Sequence, residues 1–80
     1  MELSDVERTI LDIEKHWWQF AGAKESAIRD QLNMTTTRYY QVLNRLIDTE
    51  RAMAAEPNLV KRLQAKRAER QLSRSLRRTG

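Results

Sequence analysis

The 80-residue chain has no cysteine and a single histidine, His16. Disulfides, structural zinc, iron–sulfur clusters and thiol catalysis therefore have no ligand or nucleophile set to draw on. Glycine is nearly absent too: Gly22 and Gly80 are the only two, too few for a phosphate-cradling loop. No apolar run approaches the roughly 18 residues of a membrane span. The start, Met1-Glu2-Leu3-Ser4-Asp5, lacks the basic and apolar regions of a secretory leader, so a cytoplasmic location is expected. No cofactor and no metal are expected, and no catalysis, because His16 has no second group to work with.

What the chain does have is helix-compatible composition and unevenly placed charge. One proline and two glycines leave long stretches free of helix breakers. The net charge of +4 conceals a division: residues 61–80 carry eight basic side chains and one acidic, hence +7, while residues 1–60 carry seven basic and ten acidic, hence −3. A chain this short buries only about 60% of the surface it exposes when unfolded, so it can form one small core and no more.

Ser4-Asp5-Val6-Glu7 has the spacing of a capping box and should start a helix. Leu3, Val6, Ile10, Ile13, Trp17 and Phe20 recur at steps of three and four, with Glu7, Arg8, Asp12, Glu14 and Lys15 assigned to the opposite face. Ala21-Gly22 is a natural end for it, so the first helix is expected over about 4–21. A second is expected over about 24–32, with Ala27, Ile28 and Leu32 inward and Lys24, Glu25, Arg29 and Asp30 outward. Asn33-Met34-Thr35 interrupts it: Asn33 tolerates the left-handed conformation and Thr35 can cap the next helix. That third helix is expected over about 36–48, burying Tyr39, Val42, Leu43 and Leu46. Thr49 to Glu56 reads as a connector with room for one helical turn, and Pro57 suits the first position of a fourth helix. In that helix Leu59, Val60 and Leu63 can dock, after which the apolar residues thin out among arginines.

Helix, three-residue break, helix is the pattern of the helix-turn-helix, in which the second helix offers its outer face to the major groove. The run from Ala27 to Leu46 fits position by position, with two departures: Arg29 stands where a small alanine is usual, and Asn33 where glycine is usual. The expected fold class is all-α, a three-helix helix-turn-helix bundle over residues 1–60 followed by a basic C-terminal helix or partly disordered arm over residues 57–80. On a helical wheel, Thr37, Arg38, Gln41, Asn44 and Arg45 lie opposite the buried face. These side chains suit base reading, arginine toward guanine and glutamine or asparagine toward adenine. Asp48 also faces outward and should lie clear of the groove. Candidate backbone contacts are Thr35, Thr36 and Tyr40, together with Lys61, Arg62, Lys66, Arg67, Arg70, Arg74, Arg77 and Arg78 of the arm.

Each signal has a plainer reading. Trp17, Trp18 and Phe20 fit core packing better than base stacking. The basic arm could be a solvated helix, a phosphate-binding element driven by counterion release, or a segment docked on the chain's own acidic half. A membrane surface suits it poorly, for lack of anchoring Trp or Phe.

Four blocks, Trp17-Trp18, Ala21 to Glu25, Arg38 to Asn44 and Pro57 to Leu63, together resemble a family of short actinobacterial proteins of unknown function. The resemblance covers nearly the whole chain and implies a bacterial, cytoplasmic setting without implying an activity. The functional expectation rests on the motif and the charge: a sequence-specific DNA-binding protein, a small transcriptional regulator, with double-stranded DNA as partner, nucleoid-associated, and helped by homodimerisation. The competing expectation is a protein-interaction adaptor bound to RNA polymerase or another transcription protein, without specific DNA contact of its own.

Overall fold

The computed structural model describes residues 2–16 and 20–79, with backbone alone for Ala21 and for residues 74–79. Five helices follow one another: α1 (Asp5–His16), α2 (Ala21–Leu32), α3 (Thr36–Leu46), α4 (Glu50–Ala55) and α5 (Pro57–Thr79), with no strand among the described residues. The protein is all-α. None of its described helices is long and apolar enough to cross a membrane.

The helix starts follow local chemistry. The Glu7 amide donates to Ser4 Oγ at 3.1 Å and the Ser4 amide to Glu7 Oε1 at 2.9 Å, closing the capping box. Asn33 ends α2 in the left-handed conformation, φ 53°, and is the one non-glycine residue with positive φ among those described. Thr35 then caps α3 by accepting from the Arg38 amide at 3.1 Å. Pro57 opens α5.

Four boundaries differ from the sequence reading. The first helix is described only to His16, and Trp17 and Trp18 lie outside the described residues. Ala21 and Gly22 open α2 instead of closing α1, so the second helix starts three residues earlier than expected. Gly22 has no positive φ, and a Cβ built there would meet nothing within 4 Å; this glycine meets no steric demand. The third helix stops at Leu46, two residues short, because Thr49 Oγ1 donates to the Leu46 carbonyl at 2.7 Å and turns the chain. Thr49 also accepts from the Ala52 amide, so the connector winds into α4, and the described residues form five helices instead of four.

The core gathers Ile10, Leu11 and Ile13 of α1, Ala27 and Ile28 of α2, Tyr39, Leu43 and Leu46 of α3, then Ile47, Ala52 and Leu59, Val60 and Leu63 of α5. Met34, in the α2–α3 turn, packs on it half-buried. Val6 and Phe20, expected on the buried face, are 45% and 59% exposed. The core-facing arc of α1 is centred nearer Ile10 and Glu14; Val6 falls within that arc but in the first turn, ahead of the buried stretch that begins at Ile10, and Phe20 is outside the helix.

That shift corrects two further expectations. Glu14, assigned to the outer face, is 3% exposed, and Lys24, also assigned outward, keeps only 12% of its side chain exposed beside it. Four residues after Ile10 and three after Leu11, Glu14 stands in the middle of the apolar arc.

Candidate nucleic-acid interface

The face of α3 singled out from the wheel is open to solvent: Thr37, Arg38, Gln41, Asn44 and Arg45 are all exposed, as are Thr35 and Thr36 at the cap. It contains two arginines and no carboxylate. Behind it, Tyr39 is fully buried and holds the helix to α1. Its hydroxyl donates to Glu14 Oε2 and approaches the Ile10 carbonyl at 3.3 Å. Lys24 Nζ lies 2.6 Å from the same Glu14 oxygen, and 4.9 Å from the centre of the Tyr40 ring, which in turn meets Tyr39 edge-on. One buried carboxylate thus joins α1, α2 and α3. Burial, and then the neighbouring Glu14 charge, push the Tyr39 hydroxyl far above its usual range, so it remains a donor.

The remaining sequence-predicted residues fall into distinct places. A groove of about 580 Å³ runs between α2, α3 and α5. Thr36, Tyr40 and Asn44 line it from α3, and Lys66, Arg67 and Arg70 from α5. Six of the candidate DNA-contacting residues are therefore brought together from two helices separated in sequence. Thr37, Arg38, Gln41 and Arg45 lie on the adjoining outer face of α3 and do not line the groove. Lys61 and Arg62 are exposed at the start of α5, away from it. The side chains of Arg74, Arg77 and Arg78 lie outside the described residues.

Arg67 has a task of its own. Its guanidinium donates to Asp48 Oδ1 at 2.8 Å and Oδ2 at 3.1 Å, and to the Asn44 carbonyl at 3.2 Å, which fastens α5 to the C-terminal end of α3. The bound guanidinium holds the Asp48 carboxyl below its usual range, so Asp48 stays ionised and neutralised in place. Gln64 adds a second tie by donating to the Ile47 carbonyl at 2.9 Å. At the other end of the molecule, Arg51 of α4 donates two-pronged to Glu7 of α1. That bond, reinforced by the Ser4 amide, lowers the Glu7 carboxyl to about 2.

The network of Glu14, Lys24 and Tyr39 is not part of the sequence expectations: a glutamate inside an apolar arc needs a cation and a donor, but the pattern alone does not say which ones, and the fold supplies Lys24 and Tyr39. His16 is exposed, with Nδ1 2.9 Å from the Asp12 carbonyl. Among the described residues no three His, Cys, Asp or Glu side chains are grouped as metal ligands.

Fold and site together define a small all-α protein with an open polar helix face beside a basic groove. The chain belongs to the family described as protein of unknown function (DUF3263), whose model matches residues 2–75. No curated protein and no solved structure matches it.

Proposed function

We propose that the chain is a helix-turn-helix DNA-binding protein in which α3 enters the major groove and α5 holds the flanking phosphates. The observation that carries this reading is the pairing of two adjacent surfaces. The outer face of α3 presents Thr37, Arg38, Gln41 and Arg45, all exposed, and the groove next to it is walled by Lys66 and Arg70 of α5. A helix lying in a major groove has a phosphate strand on either flank, so cations beside the reading face are placed where that strand runs. The left-handed Asn33 and the Thr35 cap set the three-residue turn the motif requires. Charge supports it as well: Asp48, just past the end of α3, is neutralised by Arg67.

In this reading base choice comes from Arg38 and Gln41 with Thr37, Asn44 and Arg45, and most of the affinity from the +7 segment after residue 60. A module of this size makes few base contacts, so tight binding requires a second copy or the arm. The corresponding role is that of a small transcriptional regulator at the nucleoid. Selection of bound duplexes from a randomised pool tests the reading directly. Enrichment of a defined site is expected, and its palindromy reports whether two copies bind; a pool that stays random after repeated rounds contradicts sequence-specific binding.

A further inference from the structure

The groove between α2, α3 and α5 has features that a phosphate track does not need. Its floor is apolar, made by Ile28, Leu43, Ile47 and Leu63. One wall carries the half-buried Tyr40 ring, capped by the Lys24 ammonium at 4.9 Å. The opposite wall is α5, with Lys66, Arg67 and Arg70 at successive positions of one helical face and Gln71 beside them. Four cations line the groove against two carboxylates, Glu14 and Glu25. Glu14 is already matched by Lys24, whose ammonium is fixed in place by that bond. At about 580 Å³ the volume lies within the range of sites that enclose small organic ligands.

We infer that this groove binds a nucleoside polyphosphate, with the planar base seated against Tyr40 and the apolar floor and the phosphates directed to the α5 wall. Charge assigns the orientation. The polyanionic tail is drawn to the exposed Arg70 and to Lys66; Arg67 is paired with Asp48 and adds little net charge. An uncharged ring gains by covering the half-buried Tyr40, whereas phosphate set against the nearly buried Leu43 and Leu63 would lose hydration without compensation. Thr36 and Asn44 supply hydroxyl and amide groups at the rim for the ribose or the base edge. The site shares Lys66 and Arg70 with the proposed DNA contacts, so bound nucleotide and duplex would compete. The inference itself does not require DNA binding.

Calorimetric titration of the full chain with ATP, sodium tripolyphosphate and adenosine, each without DNA, tests it. ATP should bind at least about tenfold more tightly than either fragment, because only ATP engages both wall and floor. Arg70→Gln, at an exposed position, should weaken ATP about tenfold and leave adenosine unchanged. Tyr40→Leu should weaken ATP while tripolyphosphate stays as it was. Absence of ATP binding up to millimolar concentration, or tripolyphosphate binding as tightly as ATP, overturns the proposal. The double variant Arg38→Ala, Gln41→Ala lies outside the groove and should bind ATP like the wild type. Its loss of DNA selectivity, or the wild type's failure to select a site, therefore reports on the DNA reading alone.

Discussion

Glu14 is the residue on which most of the bundle turns. Three helices meet at its carboxylate, with Lys24 2.6 Å away and the Tyr39 hydroxyl donating to it. Removing one member of a buried pair costs more than the pair contributes, because the other charge remains without its partner. Glu14→Ala should accordingly destabilise the fold by about 3 to 5 kcal/mol, and Tyr39→Phe by about 1 to 2 kcal/mol, as it removes a donor and no charge. A chain of this length has a total stability of about 4 to 12 kcal/mol, so the first substitution should remove a large fraction of it and lower the urea midpoint strongly, and the second should shift the midpoint less. Glu7 makes a different prediction, about acid. Its folded value of about 2 lies below its ordinary 4.5, so the Arg51 bond stabilises fully above pH 4.5 and is lost as pH falls toward 2. With part of that gain screened at the surface, it amounts to roughly 1 to 3 kcal/mol. Glu7→Gln should lower stability at pH 7 by that amount and flatten the fall between pH 4.5 and 2, read from thermal melts across pH; an unchanged acid slope would place the acid sensitivity in another carboxylate.

At the scale of elements, the starts of α1, α3 and α5 were legible, those of α2 and α4 were not, and the helix faces only partly so. Ser4-x-x-Glu7, Asn33, Thr35 and Pro57 act through their own backbone neighbours, so their roles can be read without knowing the fold. The same locality makes a prediction. Asn33→Gly should hold or slightly raise stability, Asn33→Val should cost about 1 to 2 kcal/mol at the left-handed turn, and Thr35→Ala about 1 kcal/mol, all measurable by chemical unfolding. Glu14 and Lys24 were illegible for the opposite reason. A charged residue is assigned to solvent by default, and only the approach of α2 and α3 to α1 shows that the pair has a common buried site. Thr49 was missed because it ends one helix and caps the next within the same turn, leaving no break in the sequence pattern. The outer face of α3 was readable because its polar residues simply follow the wheel; that Thr36, Tyr40 and Asn44 turn toward α5 depends on where α5 packs, which no local pattern records.

For the whole molecule, the distribution of charge matters more than its total. An acidic body of residues 1–60 carries −3 and ends in a helix whose remaining residues bring +7. The body and that helix are joined by Arg67 to Asp48 and by Gln64 to Ile47, so α5 is tied to the reading face over its first half. A truncation at residue 64 would therefore damage the fold as well as the charge. Deleting residues 73–80 together with Arg70→Gln removes four positive charges and leaves both ties in place. This variant should bind all duplexes more weakly, and the slope of log affinity against log salt should fall by about 0.9 for each phosphate no longer neutralised. An unaltered slope would mean that the cations of α5 do not meet DNA.

The central claim is that the exposed face of α3 chooses the sequence, and it is tested most directly by comparing a selected site with an unrelated duplex at fixed salt, using fluorescence anisotropy for the wild type and for Arg38→Ala, Gln41→Ala. Both residues are exposed and neither makes a contact that the fold depends on through its side chain. Each base contact is worth about 1 to 3 kcal/mol of discrimination, so the double variant should lose about tenfold or more of its preference for the site while its affinity for the unrelated duplex falls only modestly. Equal preference for the selected site in wild type and variant would contradict the account, whatever the affinity of either protein for DNA.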